Sequence, residues 1–381
     1  MRFCFVDRSI GPAIWRVVGP IAATLLTKGH EVDYVRFHDG NELTGSPVPN
    51  GVKVIDIPVP PKKKALDAIR QQVQFTKAFR KYLAETKPDV VHTHFAVPSI
   101  VARWAAAREG VPFVLSTQHE IYGSISAHYR LGLRLTERFC SALIYVSNTV
   151  ARSFGREAGT IEKADLKTRP AQVVIPNGVD ANQIRSVVSN APKKVAGKLV
   201  CVGRMVPVKG QGLLLNALRK IVPQYPQTRL TLIGSGPEEA HLRALTHDLG
   251  LEKQVEFKGW LPHDQVLMEM ASAGLVVVPS SRVQDGFGLV LAEGLICGTP
   301  LLVSDTPLFH EILDPFLGRG AFFKEGDSEA LAQGLEQHLS GKAPYPSSLK
   351  PMTKEEAAPL SANTMAASYM SLYQTLFNGR R

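Results

Sequence analysis

Two doubly wound α/β domains in tandem are the fold predicted for this chain, on three observations. It has 381 residues, 44% of them hydrophobic and 20% charged, which suits two globular cores of up to about 200 residues each rather than a disordered or fibrous chain. Short apolar runs alternate with amphipathic helical stretches almost throughout, the pattern of parallel strands joined by helices that cover both faces of a sheet. The alternation breaks off once, over the polar stretch Asp180–Lys198, and then restarts.

The elements follow in order. Arg2–Val6 reads as a strand and Ala13–Lys28 as a helix stopped by Gly29. Glu31–Arg36 and Lys53–Pro58 read as strands, Ala65–Glu85 as a helix, Val90–His92 as a short strand and Ile100–Glu109 as a helix. Val114–Ser116, Leu143–Val146 and Val173–Ile175 complete the first sheet. In the second half, Leu199–Gly203 is a strand, Gln211–Val222 a helix, Arg229–Ile233 a strand and Glu238–Leu249 a helix, followed by strands at Val255–Lys258, Leu275–Val278 and Leu301–Val303. Lys342–Pro359 reads as irregular, and Ala362–Phe377 returns to helical periodicity. The expected domains are therefore 1–180 and 181–360, with a helix over 361–381 that crosses back to the first. Sheets of this kind bind ligands at the carboxyl ends of their strands, so two of them facing each other would enclose a central cleft.

The net charge of +10 is unevenly shared: residues 1–190 carry 25 Lys and Arg against 16 Asp and Glu, while the remainder is nearly balanced. The first domain is thus expected to meet an anionic surface or substrate. Cys4, Cys140, Cys201 and Cys297 show no metal or redox spacing and read as thiols of a reducing cytosol, Cys4 and Cys201 as buried ones. Neither a leader-like apolar segment nor a membrane-length apolar run is evident, so a soluble or peripheral cytoplasmic protein is expected. Lys62–Lys87 keeps two readings open. Arg70, Lys77 and Lys81 share one helix face, and Leu66, Ile69, Val73 and Leu83 lie largely on another. That is either a basic amphipathic helix for an anionic lipid surface on the inner face of the cytoplasmic membrane, or a covering helix with a solvated basic side.

Two motifs carry chemistry. In Asp285-Gly286-Phe287-Gly288-Leu289-Val290-Leu291-Ala292-Glu293, Asp285 precedes a helix start and Glu293 lies more than a turn inside it. Unpaired amides and the positive dipole end at such a start suit a diphosphate, with carboxylates gripping hydroxyls on either side. In Val202-Gly203-Arg204-Met205-Val206-Pro207-Val208-Lys209-Gly210, two cations leave the first strand of the second domain. Their attraction grows as negative charge builds on a departing phosphate. Each taken alone also fits an ordinary Gly-rich or charged surface loop.

Together with Ile175-Pro176-Asn177-Gly178-Val179-Asp180, Leu232-Ile233-Gly234-Ser235-Gly236-Pro237, Phe257-Lys258-Gly259-Trp260 and Gly298-Thr299-Pro300, these motifs resemble glycosyltransferase family 4, whose fold is GT-B. The resemblance covers nearly the whole chain and is sharpest from Ile175 to Glu311. It implies a retaining transferase that moves a hexose-type sugar from a UDP- or GDP-sugar to a hydroxyl acceptor. Arg204 and Lys209 would hold the diphosphate with the backbone at Gly288 and Leu289, Glu293 the ribose, and Asp285 the donor sugar. The base would sit near Gly236 and the Lys258–Leu261 strand end. Ser116-Thr117-Gln118-His119-Glu120 resembles the family's Thr-x-His segment, which puts His119 at the reacting centre. Two positions depart from the family pattern: Asp285 stands where Glu is usual, and Ser9-Ile10-Gly11-Pro12 holds one glycine where two are usual.

His92 and His94 share a strand face and are expected, with Gly11, on the acceptor side. No Asp-x-Asp occurs, in keeping with no metal and no cofactor. The positive first domain points to a glycan or lipid-linked anionic acceptor, as in polysaccharide or lipopolysaccharide assembly, and no nucleic-acid partner is expected. A nucleotide-sugar 2-epimerase of the same fold and a non-catalytic sugar-nucleotide or glycan binder remain as alternatives. A dinucleotide-dependent dehydrogenase does not, because Glu239 replaces the third glycine after Gly234-Ser235-Gly236.

Overall fold

The computed structural model describes residues 1–7, 12–38, 48–59, 65–161, 164–165, 168–281, 286–346 and 349–379. Gly11 and Asp285, both expected in the site, lie outside them. The chain divides into two units. The first comprises Met1–Gly178, the short segment at Gly286 and Phe287, and the segment from Ala362 onward; the second takes the rest.

The first unit holds a seven-stranded parallel sheet. Its strands are β1 (Arg2–Asp7), β2 (Glu31–His38), β3 (Val52–Pro58), β4 (Val90–His94), β5 (Phe113–Gln118), β6 (Ala142–Tyr145) and β7 (Ala171–Val174), in the order β3-β2-β1-β4-β5-β6-β7. Helices α1 (Pro12–Thr27), α2 (Ala65–Thr86), α3 (Ala96–Arg108), α4 (Ala127–Thr136) and α5 (Asn148–Ser153) connect them. Strands β1, β4, β5 and β6 are wholly or almost wholly buried, because helices cover both faces. Helix α3 begins four residues earlier than its periodicity suggests. Pro98 stands in its first turn, where a missing N–H costs nothing.

The second unit holds a six-stranded parallel sheet of β8 (Val195–Val202), β9 (Arg229–Ile233), β10 (Val255–Gly259), β11 (Ala273–Val278), β12 (Leu301–Ser304) and β13 (Gly320–Phe323), ordered β10-β9-β8-β11-β12-β13. Its helices are α6 (Ala181–Val188), α7 (Gln211–Ile221), α8 (Glu239–Asp248), α9 (His263–Ser272), α10 (Leu289–Ile296), α11 (Pro307–Leu313), α12 (Ser328–Leu339) and the single turn α13 (Lys354–Ala357). The expected linker over Asp180–Lys198 is therefore not irregular. Asp180 caps α6 by accepting from the Gln183 amide at 2.9 Å, and β8 starts at Val195, earlier than its apolar run.

Helix α14 (Ala362–Asn378) returns to the first unit. It buries Met365, Tyr369, Met370, Leu372 and Tyr373 in one core with Ile14, Trp15, Val18 and Ile21 of α1 and Phe3 and Phe5 of β1. On the opposite face α2 buries Phe75, Phe79, Tyr82 and Leu83, each large apolar side chain contributing about 1.5–3 kcal/mol. The apolar set expected on one face of α2 is divided. Leu83 is buried, whereas Ile69 and Val73 are 63% and 64% exposed. All four cysteines are buried and unbridged.

Candidate active site

In the first unit the strand order reverses between β1 and β4, where ligands of open α/β sheets bind at the carboxyl ends. His92 and His94 lie on β4, and His119 directly follows β5. All three are buried, and their rings form a run: His92 stacks on His94 at 4.6 Å and His94 on His119 at 5.2 Å between centroids. His92 does not line an acceptor surface as expected. Its Nδ1 meets the Tyr373 hydroxyl and its Nε2 the Thr117 hydroxyl, both at 2.8 Å, so protein groups occupy both nitrogens and α14 covers the ring. His94 Nδ1 shares a proton with His119 Nε2 at 2.9 Å, while His94 Nε2 has no partner. Burial pushes the imidazoles of His92 and His119 down to about 3 and that of His94 down as well. At neutral pH the run is therefore uncharged, and His119 can offer a hydrogen bond but not a positive charge.

Gly286, next to the expected Asp285, donates its N–H to the His119 carbonyl at 2.7 Å. A Cβ there would stand 2.4 Å from that same oxygen and 2.7 Å from the Val150 side chain, so only glycine fits. The acidic motif is thus shared out: Gly286 and Phe287 pack with the first unit, and Gly288 begins the part belonging to the second.

The second unit reverses its strand order between β8 and β11, and the cationic loop leaves β8 at that point. Arg204 is exposed, with its carbonyl held by Gln211 Nε2 at 3.2 Å. The Lys209 stem passes within 4 Å of where a Cβ on Gly203 would stand. The turn after β9 closes on the same loop: Met205 donates to the Ser235 carbonyl at 2.9 Å, and a Cβ on Gly236 would be 2.3 Å from the Met205 oxygen. A cavity of about 210 Å³ opens beside this loop, lined by residues that include Val206, Gly210, Glu238, His241, Pro279 and Ser281. Gly288 is the N-cap of α10, and its carbonyl already accepts from the Leu291 amide at 2.9 Å, so the amides without intrahelical acceptors are those at the very start, at Leu289 and Val290. Glu293, just over one turn into α10, is 2% exposed, and its Oε1 accepts from His263 Nε2 at 2.8 Å. Lys258, in the expected base segment, turns instead to Glu269 at 2.6 Å.

The sequence reading did not single out His263. Its only signal was a histidine opening a helix just past the expected base segment. Among the described residues no group of three or more His, Cys, Asp or Glu side chains could hold a metal ion.

Two family descriptions match the chain: "Glycosyltransferase Family 4" over residues 14–183 and "Glycosyl transferases group 1" over residues 183–356. The chain belongs to glycosyltransferase family 4. Among family 4 relatives it is 25% identical over 257 residues to a GDP-mannose-dependent monoacylated α-(1-6)-phosphatidylinositol monomannoside mannosyltransferase of Corynebacterium glutamicum, covering 63% of this chain and 65% of that one. It is 25% identical over 272 residues to the phosphatidylinositol N-acetylglucosaminyltransferase gpi3 subunit of Schizosaccharomyces pombe, covering 70% and 58%. The matches thus span under two thirds of either curated relative. The fold is GT-B: the Anabaena protein HepE, solved with UDP and glucose, superimposes with a TM-score of 0.73 at 20% identity over 98% of this chain and 100% of that one.

Proposed function

We propose that this family 4 protein transfers a sugar from a nucleotide-sugar to a hydroxyl of an anionic, lipid-linked or glycan acceptor, with retention at the anomeric carbon and without a metal. The observation that carries the reading is the second unit's cationic loop at its strand-order reversal, in the same unit as a buried carboxylate in α10. Arg204 and Lys209 would neutralise the diphosphate, aided by the amides at Gly288 and Leu289, and Glu293 would hold the ribose hydroxyls. Gly236 and the end of β10 would frame the base. In the reaction the bond from the anomeric carbon to the phosphate oxygen breaks, and the acceptor oxygen bonds that carbon on the same face. The acceptor's proton passes to the departing phosphate. Cations that strengthen their hold as that charge develops favour the transition state over the bound ground state. His119, neutral, would hydrogen-bond near the reacting sugar, and Asp285 would contact the sugar hydroxyls.

The acceptor reading rests on the first unit. The guanidinium groups of Arg80 and Arg108 both lie over the Trp104 ring, 5.6 and 5.5 Å from its centre. Lys77, Arg80 and Lys81 help line a groove of about 690 Å³ on the same surface, and Ile69 and Val73 stand exposed on α2. Apolar side chains beside clustered cations suit the inner, anionic face of a cytoplasmic membrane, where a lipid-linked acceptor would be met. The curated relatives named for phosphatidylinositol acceptors agree with this chemistry. No helix described is long and apolar enough to cross a membrane.

The deciding experiment first screens UDP- and GDP-sugars by thermal shift, since a ligand of the folded state raises its melting temperature. The stabilising donor is then incubated with and without phosphatidylinositol, and products are followed by mass spectrometry and NMR. Sugar transfer only with acceptor, in the donor's anomeric configuration, is expected. Conversion of donor alone to its 2-epimer would replace the reading with an epimerase. Binding without turnover across glycan and lipid acceptors would replace it with a binding protein.

A further inference from the structure

Resting on the reading of Glu293 as the ribose clamp, we propose that His263 is a positioning residue that fixes this carboxylate for two-point contact with the ribose diol and links ribose recognition to base recognition. Glu293 sits in α10 and His263 is the first residue of α9, 30 positions away, yet the imidazole Nε2 and the carboxylate Oε1 are 2.8 Å apart. The carboxylate is 2% exposed and the imidazole 20%. A glutamate has three rotatable bonds, and a donor on one oxygen selects the carboxylate plane before any ligand arrives. Such preorganisation converts a side chain's reach into a defined hydrogen-bond geometry.

The position of His263 along the chain gives the second half of the argument. Strand β10 ends at Gly259, whose carbonyl accepts from Gly234 N–H at 2.7 Å, so the β10 end is tied to the glycine turn after β9. His263 follows four residues later, after Trp260, Leu261 and the Pro262 cap. The segment expected to frame the base and the carboxylate expected to grip the ribose are thereby joined through one imidazole. Displacing either end re-aims the other.

The test reads ribose discrimination rather than stability. Isothermal titration of the whole chain with UDP and GDP, and with their 2′-deoxy forms, gives the ribose preference for whichever base binds. The natural sequence is expected to prefer the ribonucleotide by about tenfold or more, the worth of a hydrogen bond to a charged group. H263A should bring the two within about threefold. H263Q, whose amide keeps an N–H donor, should recover most of the difference. A folded H263A that discriminates like the natural sequence overturns the proposal. Should H263A not fold, H263Q and H263M carry the comparison, and equal discrimination in these two overturns it. E293A separates the two layers: if it keeps the ribose preference, the ribose reading of Glu293 itself falls. If it loses the preference while H263A keeps it, only the positioning role falls.

Discussion

In the proposed function Lys209 and Glu293 would hold the donor by different physical means, and their substitutions should differ accordingly. Lys209 supplies a charge at a loop, so Lys209→Ala should lower turnover by about 100- to 1000-fold, as removal of one transition-state donor does. Glu293→Gln keeps shape and burial but weakens the grip on hydroxyls, and should lower kcat/KM strongly with a larger share in KM. Steady-state kinetics beside circular dichroism of both variants checks this, and natural-like rates in both would remove the site assignment. These two residues stand out in the sequence because glycine placement and charge at a strand end are local signals. His263 was not, since its pairing with Glu293 joins elements 30 residues apart. His92 was misjudged for the complementary reason. Strand alternation shows that His92 and His94 share a face, but not that Tyr373, 281 residues away, lies over that face.

Helices α2 and α14 show how the same rules succeed and fail for whole elements. α14 was visible from its periodicity, and its polar anchors add what periodicity cannot. Tyr373→Phe removes the hydroxyl bonded to buried His92 and should cost about 1–3 kcal/mol in urea denaturation, because a buried imidazole nitrogen loses its partner. Donor binding should be unchanged. α2 was also visible as a helix, but which apolar residues it buries was not, because basic residues flank both its apolar sides. If the exposed pair serves a membrane, the double change Ile69→Glu and Val73→Glu should reduce sedimentation with phosphatidylglycerol vesicles by at least about fivefold. Binding of the natural sequence should also fall between 50 and 500 mM salt, as screening weakens the cationic contribution. Equal, salt-independent sedimentation of both would remove α2 from the acceptor reading. α4 escaped the sequence reading because its apolar pattern does not point inward: Leu133 is buried while Leu131 and Leu135 are 59% and 58% exposed.

For the molecule as a whole, buried histidines lower stability in acid, among them His338 of the second unit, whose imidazole burial also pushes down, while His310 opposes them. His92 and His119 titrate near 3 when folded and near 6.5 when unfolded. Between those values the unfolded chain holds protons that the folded one rejects, so stability should fall as pH drops, by up to about 1.4 kcal/mol per pH unit for each histidine. His310 in the second unit runs the other way. Its hydrogen bond to Asp314, and that to Asp305, raise its folded value, so its stabilisation is complete below about pH 6.5. It is lost as pH rises through the raised value. Urea midpoints from pH 4 to 7.5 should therefore show a steep acid limb and a shallow fall above about pH 6.5, and His310→Asn should flatten only the latter. Above that range Lys194, pushed down to about 8 by burial, adds the opposite slope. The tandem α/β plan itself was legible, since it depends on the alternation of apolar runs along the chain. The return of α14 has a further consequence, for biosynthesis. A ribosome must finish the entire second unit before releasing the helix that seals the core around Phe3, Phe5 and Trp15. The half translated first is consequently completed last, and until then it presents an unsealed apolar wall to chaperones and proteases. Any message cut short before Ala362 would yield a product that carries that wall permanently and is marked for degradation by it.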